Sequence, residues 1–245
     1  MELRKELEKS LTGALGPLGL ELTEKQLDRL HIYYENLIRW NKVMNLTAIT
    51  EEKDVYEKHF LDSLMICRIL PPSQWSEGTS IIDVGTGAGF PGLPIAICFP
   101  QAQVTLMDSL GKRIRFLEDT AANLGLANVR AIHARAEELA RNSGHREQYD
   151  LCVSRAVANL STLSEYCLPL VTVGGVFLAM KAHSEEEETE AGKAIALLGG
   201  TIEKTDTFKL PGTDMERTII VVRKIRPTPA RFPRKAGTPS KTPIV

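Results

Sequence analysis

From the first residue to about residue 72 the apolar positions recur at helical spacing. Leu27, Leu30, Tyr34, Leu37 and Ile38 fall three and four residues apart, and Thr23 with Gln26 forms a capping-box pattern just ahead of them. A second periodic stretch, about Asp54 to Leu70, is stopped by Pro71-Pro72. Beyond it short apolar runs alternate with helical ones. The runs Ser80–Val84, Gln103–Asp108, Val129–Ile132, Tyr149–Ser154 and Gly175–Lys181 read as strands. Helices are predicted after each in turn, over Gly92–Phe99, Lys112–Leu124, Ala136–Arg141, Leu160–Leu170 and Glu185–Leu198. Ser184 is placed to cap the last of these, and its acidic start, Glu185 to Glu188, suits a helix dipole. Two late strands, Thr201–Lys209 and Thr218–Arg223, have no helix between them and so are free to pair antiparallel. Such alternation predicts an α/β fold with right-handed crossovers and a mostly parallel sheet covered on both faces. The expected division is a helical extension over 1–72, an α/β domain over 73–225 and a tail over 226–245.

A chain of 245 residues is long enough to bury a sizeable core without disulfide or metal staples. With 43% hydrophobic and 25% charged residues, wholesale disorder is excluded. No apolar run approaches the ~18–20 residues of a membrane span. The opening Met-Glu-Leu-Arg-Lys-Glu carries no apolar signal core, and Cys67, Cys98, Cys152 and Cys167 are scattered without metal-ligand spacing. A reduced, cytoplasmic, metal-free protein is the expectation, with a monomer as the default.

Charge changes the picture at one end. The net charge is −1, yet Arg223 to Val245 holds seven basic residues and no acid, which leaves −8 on the rest. Five prolines in that stretch exclude regular helix or central strand. The tail therefore reads either as a frayed, solvated terminus or as an arm that neutralises nucleic-acid phosphates.

The strongest local signal is the turn after the first strand, Asp83-Val84-Gly85-Thr86-Gly87-Ala88-Gly89-Phe90-Pro91-Gly92. It falls where open α/β sheets bind ligands, and glycines let backbone approach a ligand closely. Gly87, Gly89 and Gly92 satisfy the literal dinucleotide fingerprint, so a nicotinamide-dependent oxidoreductase is one reading. A pyrophosphate, however, favours amide donors and a helix dipole without an adjacent carboxylate. Asp83 suits a ligand bearing ammonium and sulfonium groups, as S-adenosylmethionine does, with a helix cap or turn residue as the plain alternative for it and for Asp108. Asp108, ending the second strand, is placed to accept from ribose hydroxyls of either cofactor. Ala136-Glu137 begins the helix after the third strand, in reach of an adenine in this geometry or as an ordinary acidic first turn.

The fourth strand ends Val153-Ser154-Arg155-Ala156, where methyl acceptors sit in this architecture. It lacks the Asp/Asn/Ser-Pro-Pro-aromatic element that orients exocyclic amines, and the chain has no Pro-Cys pair for pyrimidine carbon methylation. A ring nitrogen with a free lone pair needs neither device, so positioning and electrostatics suffice. Arg155 is a candidate to hold the cofactor's methionine carboxylate or shape the pocket wall; a surface ion pair is the plain alternative.

The strings Trp40-Asn41-Lys42 with Asn45-Leu46-Thr47, His59-Phe60-Leu61-Asp62-Ser63-Leu64, Asp83 to Pro94 and Asp108 to Arg113 occur in one order. With Ala134-Arg135-Ala136-Glu137, Ser154-Arg155-Ala156, Glu216-Arg217 and the ending Pro233 to Pro239, the chain closely resembles the bacterial 16S rRNA (guanine-N7)-methyltransferase G family, also called GidB. The resemblance implies a class I S-adenosylmethionine-dependent methyltransferase with a Rossmann-like seven-stranded sheet and an N-terminal helical extension. It implies methyl transfer, without metal, to a guanine in the 530 loop of 16S rRNA, so that 16S rRNA or the small ribosomal subunit is the partner. By position, Gly85, Phe90, Ala136, Glu137 and Arg155 carry over as cofactor contacts, and Phe90 stands where many members have Leu. Gly87 and Asp108 join them from the turn's own chemistry. Asn45, Lys181 and Arg217 are substrate-side candidates, with a chain cap or turn (Asn45) and solvated charges (Lys181, Arg217) as the alternatives. His59 reads as a packed, hydrogen-bonded histidine and is left out of the catalytic set. An RNA-binding module without chemistry and a small-molecule methyltransferase of the same fold remain rival readings.

Overall fold

The computed structural model describes residues 2–155, 158–182 and 185–244. Seven strands form one sheet: β1 (Ser80–Val84), β2 (Gln103–Asp108), β3 (Val129–His133), β4 (Tyr149–Arg155), β5 (Val171–Lys181), β6 (Gly200–Lys209) and β7 (Glu216–Lys224). The strand order is β3-β2-β1-β4-β5-β7-β6. The first five strands pair in parallel, while β7 inserts antiparallel between β5 and β6. The helices are α1 (Glu2–Leu15), α2 (Glu24–Met44), α3 (Glu52–Val55), α4 (Asp62–Leu64), α5 (Gly92–Cys98), α6 (Gly111–Asn123), α7 (Ala136–Leu139), α8 (Leu160–Cys167), α9 (Glu185–Leu197) and α10 (Thr238–Lys241). The Ser184 cap expected ahead of α9 lies outside the described residues. No helix among those described is long and apolar enough to cross a membrane.

Buried residues alternate between the two faces of the sheet, as a doubly covered parallel sheet requires. Ile81, Leu106, Val153 and Leu178 belong to one core, whereas Ile82, Met107, Cys152 and Phe177 belong to the other. The order reverses between β1 and β4, which opens the ligand crevice of such sheets at the carboxyl ends of the strands.

The N-terminal helices share the first of these cores across the expected boundary at residue 72. Leu30, Tyr33 and Leu37 of α2 pack in the same cluster as Ile81 and Leu106. The Thr23 capping box forms as its sequence indicates: the Gln26 amide donates to the Thr23 hydroxyl at 3.3 Å, and the Thr23 amide donates to Gln26 Oε1 at 2.8 Å. The periodic stretch 54–70 is not one α-helix. A π-helical turn, Tyr56–Leu61, separates α3 from α4, and a 3-10 turn, Met65–Arg68, follows. π turns widen a helix by one residue and recur at functional sites.

The tail is neither frayed nor free. Lys224 is fully buried, donating to the Leu168 carbonyl and the Thr228 hydroxyl, both at 2.6 Å, beside Glu147. Burial pulls its pKa down to about 8. Arg234 pairs with the buried Glu165, and α10 packs on α8. Of the seven basic residues, Arg226, Arg231, Lys235 and Lys241 are exposed.

Tyr33 is buried and its hydroxyl donates to the Ala88 carbonyl in the glycine turn. Tyr33→Phe leaves that carbonyl unpaired and is expected to cost about 1–3 kcal/mol in denaturant unfolding. A change below a few tenths of a kcal/mol would show that this bond does not fasten the turn.

Candidate active site

Four glycines govern the turn between β1 and α5. Gly85, Gly87 and Gly89 adopt φ of 72°, 61° and 98°, a region that favours glycine. A Cβ at Gly92 would lie 2.2 Å from a Leu106 methyl and 2.8 Å from Asp83 Oδ2, so the start of α5 can sit against β1 and β2 only without a side chain there. Asp83 fastens this geometry. Its Oδ2 accepts from the Thr86 hydroxyl at 2.6 Å and the Gly92 amide at 2.8 Å, and the residue is fully buried. Burial pushes its pKa up to about 6, with those two bonds opposing the shift. Asp83 is absent from the lining of the cavity the turn borders. The carboxylate expected to face a cationic ligand therefore serves the turn, because the helix-start amide and Thr86 take it inward.

The turn borders a cavity of about 510 Å³, within the usual range for small-ligand sites. Gly85, Gly87, Phe90, Asp108, Ala136, Glu137 and Arg155 all line it. Asp108 ends β2; its oxygens accept from the Gly87 amide at 3.0 Å, the Leu110 amide at 2.9 Å and Arg113 at 3.1 Å. A carboxylate offers about four acceptor positions, so one is left for a ligand hydroxyl. A Cβ at Gly87 would meet nothing within 4 Å, so open space lies over the backbone there. Glu137, at the first turn of α7, accepts from the Gly237 amide at 2.8 Å.

Arg155, at the end of β4, donates to Asp62 Oδ2 at 2.8 Å, to the Lys58 carbonyl at 3.3 Å and to His59 Nδ1 at 3.2 Å. Among the described residues three of its five N–H donors are thus engaged, which leaves two. Its guanidinium carbon lies 5.1 Å from the Phe90 ring centroid, and Phe90 stacks on His59 at 4.3 Å. Arginine only donates, so His59 Nδ1 is an acceptor and Nε2 carries the proton. That proton goes to the Thr47 hydroxyl at 3.0 Å, which also accepts from the Ile49 amide at 3.0 Å. Burial, with Arg155 adding to it, holds the His59 pKa down at about 3.

A second cavity, of about 260 Å³, shares the His59 and Arg155 wall. Lys58, Asp62, Met180, Lys181, Phe208 and Arg217 are among its lining residues. Arg217 donates to Asp62 Oδ1 at 2.8 Å, so Asp62 bridges two guanidiniums. Lys181 donates to the Ala158 carbonyl at 3.0 Å and pairs with Glu187. Neither is a free solvated charge. Asn45 reaches neither lining. It ends α2 with φ of 48°, a conformation asparagine tolerates, and its amide donates to the Asn41 carbonyl at 3.3 Å. The neighbouring Asn41 side chain clamps the Thr47 backbone with two bonds of 2.9 Å, which brings Leu46 and Thr47 to the larger cavity.

Sequence reasoning missed Thr47, Asp62, Arg113 and Gly237, although each sits in a string that carried the resemblance, and it missed Tyr166 and Ser240. His59, set aside as packed, is hydrogen-bonded as expected and also lines both cavities.

A family model described as rRNA small subunit methyltransferase G (GidB) matches residues 26–216. The chain belongs to that family. A methyltransferase G of Bacillus subtilis strain 168 is 50% identical over 234 residues, covering 95% of this chain and 97% of the relative. That of Acetivibrio thermocellus is 47% identical over 244 residues, covering 100% and 98%. Both are named Ribosomal RNA small subunit methyltransferase G. A solved S-adenosylmethionine-dependent methyltransferase from Aquifex aeolicus superposes with a TM-score of 0.54 at 15% identity, over 74% of this chain and 97% of that one. TrmN from Thermus thermophilus gives 0.52 at 17%, over 69% and 53%. These likenesses show the class I methyltransferase fold. The chain is an S-adenosylmethionine-dependent enzyme of that family, and the residues of the larger cavity fit that cofactor: open backbone at Gly87, a vacant acceptor position on Asp108 and spare donors on Arg155.

His59 takes up its proton near pH 6.5 in the unfolded chain but only near 3 in the folded one. Its contribution to stability is therefore complete above pH 6.5 and is lost as the pH falls from 6.5 towards 3, at up to about 1.4 kcal/mol per pH unit. Asp83, raised to about 6, acts in the opposite sense: its contribution is present below its ordinary 3.8 and lost as pH rises through 6. His59→Gln is expected to flatten the pH–stability curve between 6.5 and 4 in urea titrations. Parallel curves for variant and parent would contradict a neutral His59.

Proposed function

We propose that this enzyme methylates ring nitrogen seven of a guanine in the 530 loop of 16S rRNA, position 527 in the usual rRNA numbering. The donor occupies the larger cavity and the target base the smaller one. The names of the curated relatives support a small-subunit rRNA substrate, and such a substrate implies work in the cytoplasm. One observation carries the two-cavity reading: His59 and Arg155 line both spaces. Direct transfer needs donor and acceptor within bonding reach, so the acceptor must enter from a space that borders the donor's.

On the donor side, Gly85 and Gly87 offer backbone, Asp108 accepts from ribose hydroxyls and Glu137, with Ala136, meets the adenine. Arg155 offers its spare donors to the methionine carboxylate, and Phe90 supplies apolar surface. When bound, S-adenosylmethionine supplies a methyl carbon on a cationic sulfur, whose carbon–sulfur bond breaks as the ring nitrogen's lone pair forms the new bond, leaving a thioether and a cationic purine. Nitrogen seven carries no proton, so the site needs no general base, in keeping with a His59 that stays neutral.

On the acceptor side, Met180, Phe208 and Ile219 offer apolar surface to the faces of a base, while Lys58 and Arg217 add positive charge suited to phosphates. Lys181, held by Glu187, forms part of the same rim. A base that enters this space must leave its stack. Asn45 acts indirectly, by ending α2 so that the loop to Thr47 can close.

The test is transfer of radiolabelled methyl to 16S rRNA and to small ribosomal subunits, with the modified base mapped by cleavage at N7-methylated guanine. A single cleavage in the 530 loop is expected. Gly85→Asp is expected to abolish both incorporation and saturable S-adenosylmethionine binding. Arg217→Gln is expected to raise the KM for RNA by about tenfold while the KM for donor stays within about twofold. No incorporation into either RNA form, or an Arg217 effect confined to the donor, would overturn the reading.

A further inference from the structure

The C-terminal segment 233–241 lies outside the residues matched by the family model, yet it reaches the larger cavity. Its anchors are polar and specific. The Arg234 guanidinium closes a fork on Glu165, with Nε at 3.0 Å from each carboxylate oxygen and Nη2 at 2.7 Å from Oε2. The Arg234 amide adds a bond of 2.6 Å, and Glu165 is fully buried. Arg141 donates to the Pro233 carbonyl at 2.5 Å, Arg146 to the Phe232 carbonyl at 2.9 Å, and Thr162 to the Pro239 carbonyl at 3.0 Å. Held between these points, Gly237 turns with φ of 81° and aims its amide at Glu137 Oε1, 2.8 Å away. Gly237 and Ser240 thereby join Ala136, Glu137 and Tyr166 in the cavity lining.

We propose that segment 233–241 is a built wall of the donor cavity and that Gly237 is a positioning residue within it. Its amide fixes one oxygen of Glu137, which leaves the other to accept from the donor, and the Arg234–Glu165 fork holds the turn in place. This rests on the reading of the larger cavity as the donor's. The tail, cationic by composition, then acts on cofactor affinity, and its exposed charges, Arg231, Lys235 and Lys241, have no part in that effect.

The experiment measures S-adenosylhomocysteine binding to the full-length protein by calorimetry, with thermal unfolding recorded on the same samples. Gly237→Pro removes the amide proton and forbids the positive φ; Arg234→Gln opens the fork without touching the cavity lining. Each is expected to weaken binding by about tenfold or more. Gly237→Ala keeps the amide, but its φ of 81° strains alanine, so it is expected to weaken binding by less than Gly237→Pro does. Joint alanine substitution of Arg231, Lys235 and Lys241 is expected to change binding less than about twofold. A folded Gly237→Pro variant that binds like the parent would overturn the inference. Gly85→Asp separates the two readings: if it alone loses binding, the wall falls and the cavity stands; if it too binds normally, both fall. The unsubstituted chain gives an arm that needs no variant. Saturating S-adenosylhomocysteine is expected to slow tryptic cleavage after Lys235 about threefold or more, and an unaltered rate would overturn the wall.

Discussion

One carboxylate ties three parts of the chain together. Asp62, on the turn that follows the π segment, accepts from Arg155 at the end of β4 and from Arg217 on β7, each at 2.8 Å. It is buried between the two guanidiniums, and removing it leaves both without that partner. The same network sets where Arg155 and His59 stand. Those two side chains divide one crevice into two spaces, which is what a group transfer between two bound molecules requires.

The N-terminal helices belong to this site as much as the sheet does. Tyr33 reaches the glycine turn, Asn41 clamps the loop that carries Thr47, and the π turn sets His59 against Phe90. The sheet supplies Asp108, Arg155 and the glycine bend; the extension supplies His59, which stands with Arg155 between the cavities. Neither half alone encloses the site.

Much of this was legible along the chain. Alternating apolar runs locate every strand to within a few residues, and the missing helix between β6 and β7 signals their antiparallel pairing but not the place of β7 beside β5. The capping box at Thr23 is a local pattern with a local consequence, so it reads directly. What was not legible has more than one cause. The tail's prolines and cations do not reveal that Glu165 lies buried 69 residues earlier to receive Arg234. Asp83 stands beside the glycines in sequence, but the Gly92 amide turns its carboxylate inward. Asn45, read as a substrate-side candidate or as a chain cap, ends a helix, and its residue type alone does not choose between the two. The π turn inserts one residue into a periodic run without disturbing its composition.

The central claim is that the donor lies over the glycine bend, on one side of the His59–Arg155 wall, with the acceptor base on the other. A crystal structure with S-adenosylhomocysteine and a guanosine-containing rRNA fragment tests it most directly. The account predicts the thioether ligand against Gly85, Gly87 and Asp108, with the guanine beside Met180 and Arg217 and its ring nitrogen facing the sulfur. Ligand density away from the bend, or a base bound outside the second cavity, would contradict it.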